Sequence, residues 1–200
     1  MRQQYRDKVM DPRDQLTIAR IVKVNHAGEY GAIRIYRAQL WLARRLYPDV
    51  VRFLDETLGH EIQHCETFRN AMPQRNARPC RVMALWGNGG FVLGFLTALL
   101  GRKGIWVCTA AVEATVHRHL EEQLNFLVSI DCELHRLISA IQEEELTHLR
   151  HAEQRIGTSS ARSRFLSTVI AATTEAVIWL STWGDSTRLA KEFAAAKPTG

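Results

Sequence analysis

Residues 61–64 read Glu-Ile-Gln-His and residues 145–148 read Glu-Leu-Thr-His, and these are the only two Glu-x-x-His matches in the 200-residue chain. A glutamate precedes each match by the same 32 residues, Glu29 upstream of Glu61 and Glu113 upstream of Glu145. The whole pattern therefore recurs after 84 residues. A glutamate and a histidine three residues apart lie on one face of an α-helix. The repeat predicts two helical hairpins that carry the same side chains.

Apolar residues recur at spacings of three and four along almost the whole chain, which contains only five prolines and twelve glycines. This periodicity predicts a nearly all-α protein without strands. No Gly/Ser-rich linker, charge block or low-complexity tract divides the chain, so we expect a single domain over 1–200. Helix start and stop signals place six helices at about 14–47, 49–70, 81–100, 104–129, 131–156 and 161–192.

The four repeated glutamates lie in register with apolar residues on both sides, so they face the predicted core. Unpaired burial of four negative charges costs several kcal/mol each, so the chain needs protonation, partner cations or a metal at these positions. A metal centre satisfies all four carboxylates at once. One glutamate from each of two helices and a Glu-x-x-His pair from each of two others form the ligand set of di-iron and di-manganese carboxylate bundles. Oxygen donors with two imidazoles favour iron or manganese over copper or structural zinc. The flanking apolar residues are Val22 and Tyr36, Leu54 and Phe68, Trp106 and Leu120, and Ile138 and Ala152.

The composition is that of an ordered soluble protein, with 46% hydrophobic and 24% charged residues, which excludes disordered and fibrous classes. The formal net charge of +5 favours an anionic partner, either phospholipid or nucleic acid. Four cysteines at scattered spacings form no CxxC pair, and no secretory or transit segment is evident at the N-terminus. We therefore expect a reducing, cytoplasmic setting. The cysteines are Cys65, Cys80, Cys108 and Cys132.

The stretch from Val82 to Gly101 contains twenty uncharged residues, which is the threshold length for a membrane-spanning helix. A span would put Glu61 and Glu113 on opposite sides of the bilayer, whereas a shared metal site needs them together. We therefore expect residues 82–100 to lie in one membrane leaflet, with the basic flanks on anionic headgroups, and nucleic acid is not needed to explain the charge. The alternative is a buried core helix, which its four glycines also suit. The flanking basic residues are Arg75, Arg78, Arg81, Arg102 and Lys103.

Two further residues are candidates for positions just outside the metal ligands. His119 lies six residues beyond Glu113 and could orient a ligand or contact substrate. Tyr30 follows Glu29 and could hydrogen-bond near the metals. Cys65 receives no role. The remaining histidines are interpreted as surface or packing residues, namely His26, His60, His117, His135 and His151.

With these motifs in place, the chain resembles the demethoxyubiquinone hydroxylase family of ubiquinone biosynthesis over residues 17–183. The resemblance implies an all-α, ferritin-like four-helix bundle with an apolar crossover helix and an additional C-terminal helix. It also implies a di-iron site held by Glu29, Glu61, His64, Glu113, Glu145 and His148, with Glu61 and Glu145 bridging. The matching segments are Asn25-His-Ala-Gly-Glu-Tyr-Gly-Ala32, Arg34-Ile-Tyr36, Glu61-x-x-His64, Thr97-Ala-Leu-Leu-Gly101, Ala111-Val-Glu113 and Glu144-Glu-Leu-Thr-His148.

The family resemblance implies a reaction as well as a fold. It implies hydroxylation of the ring of a demethoxyubiquinone-type polyprenyl quinone, with dioxygen and electrons from NADH, at a membrane surface. Together with the reducing setting, this leads us to expect a peripheral protein on the cytoplasmic face of the cell membrane. A partner protein of the pathway and a homo-oligomer fit the same expectation. Trp179 stands where many members have tyrosine, which bears on the route of reduction. Two alternatives share the helices: a ferritin-like iron oxidase or peroxidase, and a non-enzymatic membrane-bound scaffold.

Overall fold

The computed structural model describes residues 10–158 and 160–196, and this part of the chain contains helices and no strand. The predicted all-α class is therefore confirmed, while the single-domain prediction over 1–200 extends beyond the described residues. A short 3₁₀ turn, Pro73–Arg75, follows the second helix. The helices are α1 (Pro12–Leu46), α2 (Pro48–Ala71), α3 (Met83–Leu99), α4 (Arg102–Leu127), α5 (Cys132–Ile156), α6 (Ala161–Thr182) and α7 (Asp185–Ala196).

Local sequence sets the helix ends. The Asp11 carboxylate accepts a hydrogen bond from the backbone N–H of Arg13, and Pro12 occupies the first position of α1, where no N–H is needed. Pro48 starts α2 in the same way, so Tyr47 alone joins the two helices. The Asp131 carboxylate accepts from the N–H of Leu134 at the start of α5. These signals create the two hairpins, α1–α2 and α4–α5.

Two apolar clusters fill the bundle on either side of the repeated glutamates. One contains Val22, Phe68, Leu120 and Ile138, and the other contains Tyr36, Leu54, Trp106 and Ala152. Each glutamate therefore has one heptad neighbour in the first cluster and the other in the second. The carboxylates lie in a polar layer between two apolar ends, as their register predicts.

The crossover helix α3 packs on α1 through its small residues. A Cβ built on Gly90 would lie 2.5 Å from the carbonyl oxygen of Gly31, and one on Gly94 would overlap the backbone of Ile35. The absence of side chains at these positions lets the two helices approach closely. The opposite face of α3 exposes Phe91, Val92, Leu96, Leu99 and Leu100. One face of the helix is therefore buried and the other exposed. This arrangement is intermediate between the buried core helix and the membrane-docked helix that the sequence left open.

We expect Gly94→Ala to destabilise the protein by about 1–3 kcal/mol, because the added methyl group forces α3 away from α1. Gly89→Ala is the matched control on the same helix, since a Cβ there meets no atom within 4 Å. The control removes a flexible residue from a helix and should stabilise the protein by up to about 1 kcal/mol. Urea unfolding of both variants measures the difference. Equal stabilities would contradict the close approach of α3 and α1.

The predicted last helix over 161–192 is wrong as a single element, because α6 ends at Thr182 and α7 begins at Asp185. Trp183 and Gly184 between them adopt left-handed backbone conformations, with φ of 54° and 80°. Glycine tolerates this conformation freely and ends many helices in this way. The break directs Asp185 against α1, where Arg13 and Arg20 bind its buried carboxylate. Helical periodicity continues through the break, so the pattern alone conceals it.

Candidate metal centre

The structure brings all six predicted metal-site residues into one buried cluster. Their side chains come from the four bundle helices α1, α2, α4 and α5, and they are only 1–6% exposed. Two overlapping groups each have potential ligand atoms within 4.8 Å of one another. Glu61 and Glu145 belong to both groups, which is the arrangement expected of bridging carboxylates. The first group is Glu29, Glu61, His64 and Glu145, and the second is Glu61, Glu113, Glu145 and His148.

Glu145 is the centre of the hydrogen-bond network in this cluster. Its two carboxylate oxygens face the Nδ1 atoms of the two histidines, at 2.9 Å from His64 and 3.2 Å from His148. On the other side of the cluster the Tyr36 hydroxyl donates to Glu113, with 2.7 Å between the oxygens. Burial, followed by the charge of Glu113, raises the pKa of Tyr36 well above 10, so this hydroxyl keeps its proton.

Burial and mutual repulsion disfavour the charged forms of three of the four carboxylates, so each of these three needs a proton or a cation. Burial, reinforced by the neighbouring Glu145 carboxylate, raises the pKa of Glu29 to about 7. Burial and the same neighbour raise the pKa values of Glu61 and Glu113 well above their usual 4.5. Burial also acts to raise the pKa of Glu145, but hydrogen bonds with His148 and His64 outweigh it and hold that pKa below its usual value.

The donor set fits two divalent metal ions. Each of the two groups offers three carboxylates and one imidazole nitrogen, and the buried Glu61 Oε1 atom has no hydrogen-bond partner among the residues that the structure describes. Such an orphaned oxygen is costly unless a cation or a proton occupies the space that it faces. Carboxylate and imidazole donors in this ratio suit iron or manganese. These six side chains could therefore hold a dinuclear centre with two shared carboxylates.

A cavity of about 340 Å³ leads from the carboxylates to the space between α3 and α6. Its wall is mostly aliphatic, and the carboxylates Glu29, Glu61, Glu113 and Glu145 form part of its polar lining. One side contributes Asn25, whose side-chain amide exchanges two hydrogen bonds with that of Gln123, at 2.8 and 3.1 Å. A cavity with an apolar wall and a few fixed polar groups is typical of a site for a small apolar ligand. The aliphatic lining includes Val24, Ile35, Leu93, Leu96, Val112, Val116, Leu166, Val169, Ile170 and Ile178.

Of the two outer candidates, the structure places only His119 beside the site. His119 lines the cavity, and its ring nitrogens lie 3.1 Å from the Glu122 carboxylate and 3.0 Å from that of Glu175 on α6. The Tyr30 ring instead lies against Gly87 of α3 and has no hydrogen bond to the cluster. The tyrosine that touches the carboxylates is Tyr36, which the sequence marked only as a core residue. Its position seven residues after Glu29 could have indicated that role.

His60 is a second residue whose contact the sequence did not reveal. It is exposed, as the interpretation of a surface residue requires, yet its Nδ1 lies 2.9 Å from Nε2 of His148. The signal that could have found it is the 84-residue repeat, which relates His60 to Glu144.

Trp179 is exposed beside Gly184, at the end of α6.

Comparison with known proteins gives the family. The sequence profile described as Ubiquinone biosynthesis protein COQ7 matches residues 16–181, which is most of the chain. The chain belongs to the COQ7 family. This membership confirms the resemblance seen in the sequence motifs. The matched range contains all six residues of the buried carboxylate and histidine cluster.

Individual COQ7-family relatives are similar at about one third identity. The 3-demethoxyubiquinol 3-hydroxylase of Rhodospirillum rubrum is 34% identical over 171 residues, which are 86% of this chain and 80% of the relative. The mitochondrial NADPH-dependent 3-demethoxyubiquinone 3-hydroxylase of Mus musculus is 36% identical over 143 residues, 70% of this chain. That match spans 65% of the mouse protein, as it does for the rat relative. The mitochondrial 5-demethoxyubiquinone hydroxylase of Saccharomyces cerevisiae is 36% identical over 110 residues, 55% of this chain and 47% of the relative.

Proposed function

We propose that this protein is a di-iron monooxygenase that hydroxylates the ring of a demethoxyubiquinone-type polyprenyl quinone in ubiquinone biosynthesis. The observation that carries the proposal is that a carboxylate and histidine cluster that could hold metal lies in the wall of an apolar cavity. The names of the relatives, which are hydroxylases of this substrate class, support it. Dioxygen is the oxidant, and a reduced nicotinamide nucleotide is the source of electrons.

The protein side chains have separate tasks in this reaction. Glu29 and His64 would hold one iron, and Glu113 and His148 would hold the other. Glu61 and Glu145 would be shared by both irons. The two ferrous ions would supply electrons for the reduction of dioxygen. Tyr36 fixes the orientation of Glu113 through its hydrogen bond. The apolar wall excludes water from the ring carbon that reacts.

The shape of the cavity suits a polar ring with an isoprenoid tail. The ring would lie beside the carboxylate cluster, and Asn25, Gln123 and His119 add further polar side chains to the cavity wall. The tail would follow the aliphatic side chains of α3 and α6 toward the surface. Burial of apolar tail area contributes about 25 cal/mol per Å², so each tail segment that enters the cavity would add to the binding free energy.

The cavity also separates this proposal from the two alternatives. A ferritin-like iron oxidase or peroxidase acts on hydrated ions or peroxide and has no use for an apolar wall of this size. In a scaffold without metal, the buried carboxylates would destabilise the fold and would serve no function. The hydroxylase proposal uses both the cluster and the cavity.

A reaction with purified, iron-loaded protein tests the proposal. A short-tailed demethoxyubiquinone in detergent is supplied with dioxygen and either NADH or NADPH, and the quinone products are analysed by mass spectrometry. We expect a product heavier by one oxygen atom, with the label of ¹⁸O₂ incorporated. The two nucleotides are compared because NADH is our expectation, whereas the mouse relative is named for NADPH. Peroxide turnover without ring hydroxylation would favour the oxidase alternative instead.

We further propose that the exposed apolar face around the cavity mouth docks on one membrane leaflet. Leu85, Leu96, Leu100 and Val169 are exposed and also line the cavity, so its mouth opens within this face. A quinone could then pass from lipid to the site without crossing water. Peripheral binding at the cytoplasmic face of the cell membrane is the expected location. Partner proteins and homo-oligomers remain expectations.

Two helices contribute to this apolar face. By length and composition α6 is the one described helix that could cross a membrane, and 28% of its apolar window is buried within the protein. Its Glu175, however, pairs with Arg118 and His119 of α4, which ties α6 to the bundle. Exposed Phe165, Val169, Leu180 and Trp183 extend the apolar surface that α3 begins.

The basic residues around α3 are less available to headgroups than the sequence suggested. Arg102 binds the Asp49 carboxylate at 2.7 Å, and Arg75 binds Asp131 at 2.8 Å. Among the described residues, the structure gives no ion pair to Arg78 or Arg81. Apolar contact would therefore supply most of the membrane affinity, with these two arginines adding an electrostatic part.

Substitution on the apolar face tests the docking. We expect Val92→Glu to reduce co-flotation with anionic phospholipid vesicles by at least about tenfold, because it would place a negative charge against the acyl chains and near the anionic headgroups. The matched control is Val128→Glu, since Val128 is 61% exposed at the end of α4 and Val92 is 53% exposed on α3. Similar loss of vesicle binding in both variants, or in neither, would remove α3 from the docking surface.

A further inference from the structure

The two cluster histidines are held from outside by different partners in a crossed arrangement. Glu144 of α5 contacts His64 of α2, with 3.1 Å between Oε2 and Nε2. His60 of α2 contacts His148 of α5, with 2.9 Å between Nδ1 and Nε2. Each partner is the residue immediately before the shared glutamate of its own Glu-x-x-His motif. The repeat therefore places a carboxylate on one side of the centre and an imidazole at the equivalent place on the other.

The geometry fixes which nitrogen has which role. Both histidines direct Nδ1 toward Glu145 and Nε2 toward the outer partner. A neutral histidine that offers Nδ1 to a metal carries its hydrogen on Nε2, so it donates that hydrogen outward. The His60 and His148 rings lie within 14° of parallel, with centroids 5.2 Å apart. A 2.9 Å nitrogen contact at this separation requires the rings to meet edge to edge, which is hydrogen-bond geometry.

The inner donors alone give no reason for a difference between the two positions. Each position has three carboxylates and one imidazole, and two of the carboxylates are the same. The outer partners do differ. A carboxylate that accepts the outer hydrogen makes the imidazole a stronger electron donor than a neutral imidazole acceptor does. The hydrogen bond from Tyr36 makes the Glu113 carboxylate a weaker electron donor to a metal ion. Glu113 belongs to the position of His148 only.

We propose that the two metal positions are inequivalent, and that the position of His64 binds divalent metal more tightly and fills first. His60 is a positioning residue that orients His148 and supports the weaker position. This inference rests on the proposed dinuclear centre, although it does not depend on the reaction. It gives the centre an order of assembly, in which one ion is retained while the second exchanges.

Titration of the metal-free protein with Co²⁺ tests the proposal without an activity assay. Visible absorption of the bound ion and calorimetry report stoichiometry and affinity for each step. We expect two unequal steps in the wild type. Glu144→Gln should weaken the first step by up to about tenfold, because the amide oxygen still accepts the His64 hydrogen but the negative charge that strengthens this imidazole as a donor is lost. Glu143→Gln is the matched control, because Glu143 is also exposed but its side chain has no contact with the cluster histidines.

His60 variants test the second step separately. His60→Ala should weaken the second step by a similar factor, and His60→Gln should restore it, since the amide oxygen can accept the same hydrogen. His60→Glu should tighten the second step and bring the two affinities together. His60 and Glu144 are exposed, so the variants should fold, and circular dichroism checks their helix content.

Several outcomes would overturn the inference. They are two equal steps in the wild type, equal effects of Glu144→Gln and Glu143→Gln, or an unchanged second step in His60→Ala. Any of these, with two Co²⁺ ions bound per chain, would leave the dinuclear centre intact and remove only its asymmetry. Failure to bind Co²⁺ at all would contradict both the asymmetry and the centre on which it rests.

Discussion

Replacement of Glu61 by glutamine is expected to abolish metal binding at both positions while leaving the metal-free protein at least as stable as the wild type. Glu61 belongs to both groups of candidate ligands, so its loss affects both ions. In the described part of the chain its buried Oε1 atom has no hydrogen-bond partner, and burial raises the pKa of Glu61 well above 4.5. An acid whose pKa is raised by folding favours the unfolded state as the pH rises above its usual value. The neutral amide removes that penalty.

Thermal unfolding with and without ferrous iron measures both effects. Metal at about 1,000 times its dissociation constant should stabilise the wild type by roughly 4 kcal/mol and Glu61→Gln hardly at all. Glu66→Gln on the same helix is the control, because Glu66 is exposed and lies outside both ligand groups. A Glu61→Gln variant that still gains full stability from iron would remove Glu61 from the centre.

The second large effect is expected from Val116→Trp, which should lower kcat/KM for the quinone by at least about 100-fold while iron binding stays normal. Val116 lines the cavity between Glu113 and His119, three residues from each, so the three side chains share one face of α4. An indole group there would fill the space through which the ring reaches the carboxylates.

Val128→Trp provides the matched control, because it places the same side chain on an exposed site at the end of α4. Steady-state kinetics with a short-tailed quinone and iron analysis are carried out on both variants. Normal quinone turnover by Val116→Trp with two irons bound would show that the substrate uses another route. Equal losses in the two variants would indicate a general effect on folding.

The features that follow from helical periodicity were accessible from the sequence. Each of the four glutamates stands one heptad from an apolar residue on either side, and in the structure these neighbours form the two apolar ends of the bundle. Convergence of Glu61 and Glu145 follows from the same register.

Other features depend on packing that no periodic pattern records. Helical spacing continues through Trp183 and Gly184, so the turn into α7 depends on Asp185 reaching the arginines of α1. The cavity is lined by α3 and α6, which are joined where Trp86 donates a hydrogen bond to Ser181, and this arrangement depends on tertiary packing. Tyr36 looks like an ordinary core residue until its hydroxyl is seen beside Glu113.

Anomalous diffraction from crystals of the iron-loaded protein, recorded at the iron absorption edge, tests the central claim most directly. The account predicts two iron peaks within the cluster, one beside Glu29 and His64 and the other beside Glu113 and His148, with Glu61 and Glu145 contacting both. A protein that binds iron elsewhere, or shows no iron among these six side chains, would contradict it.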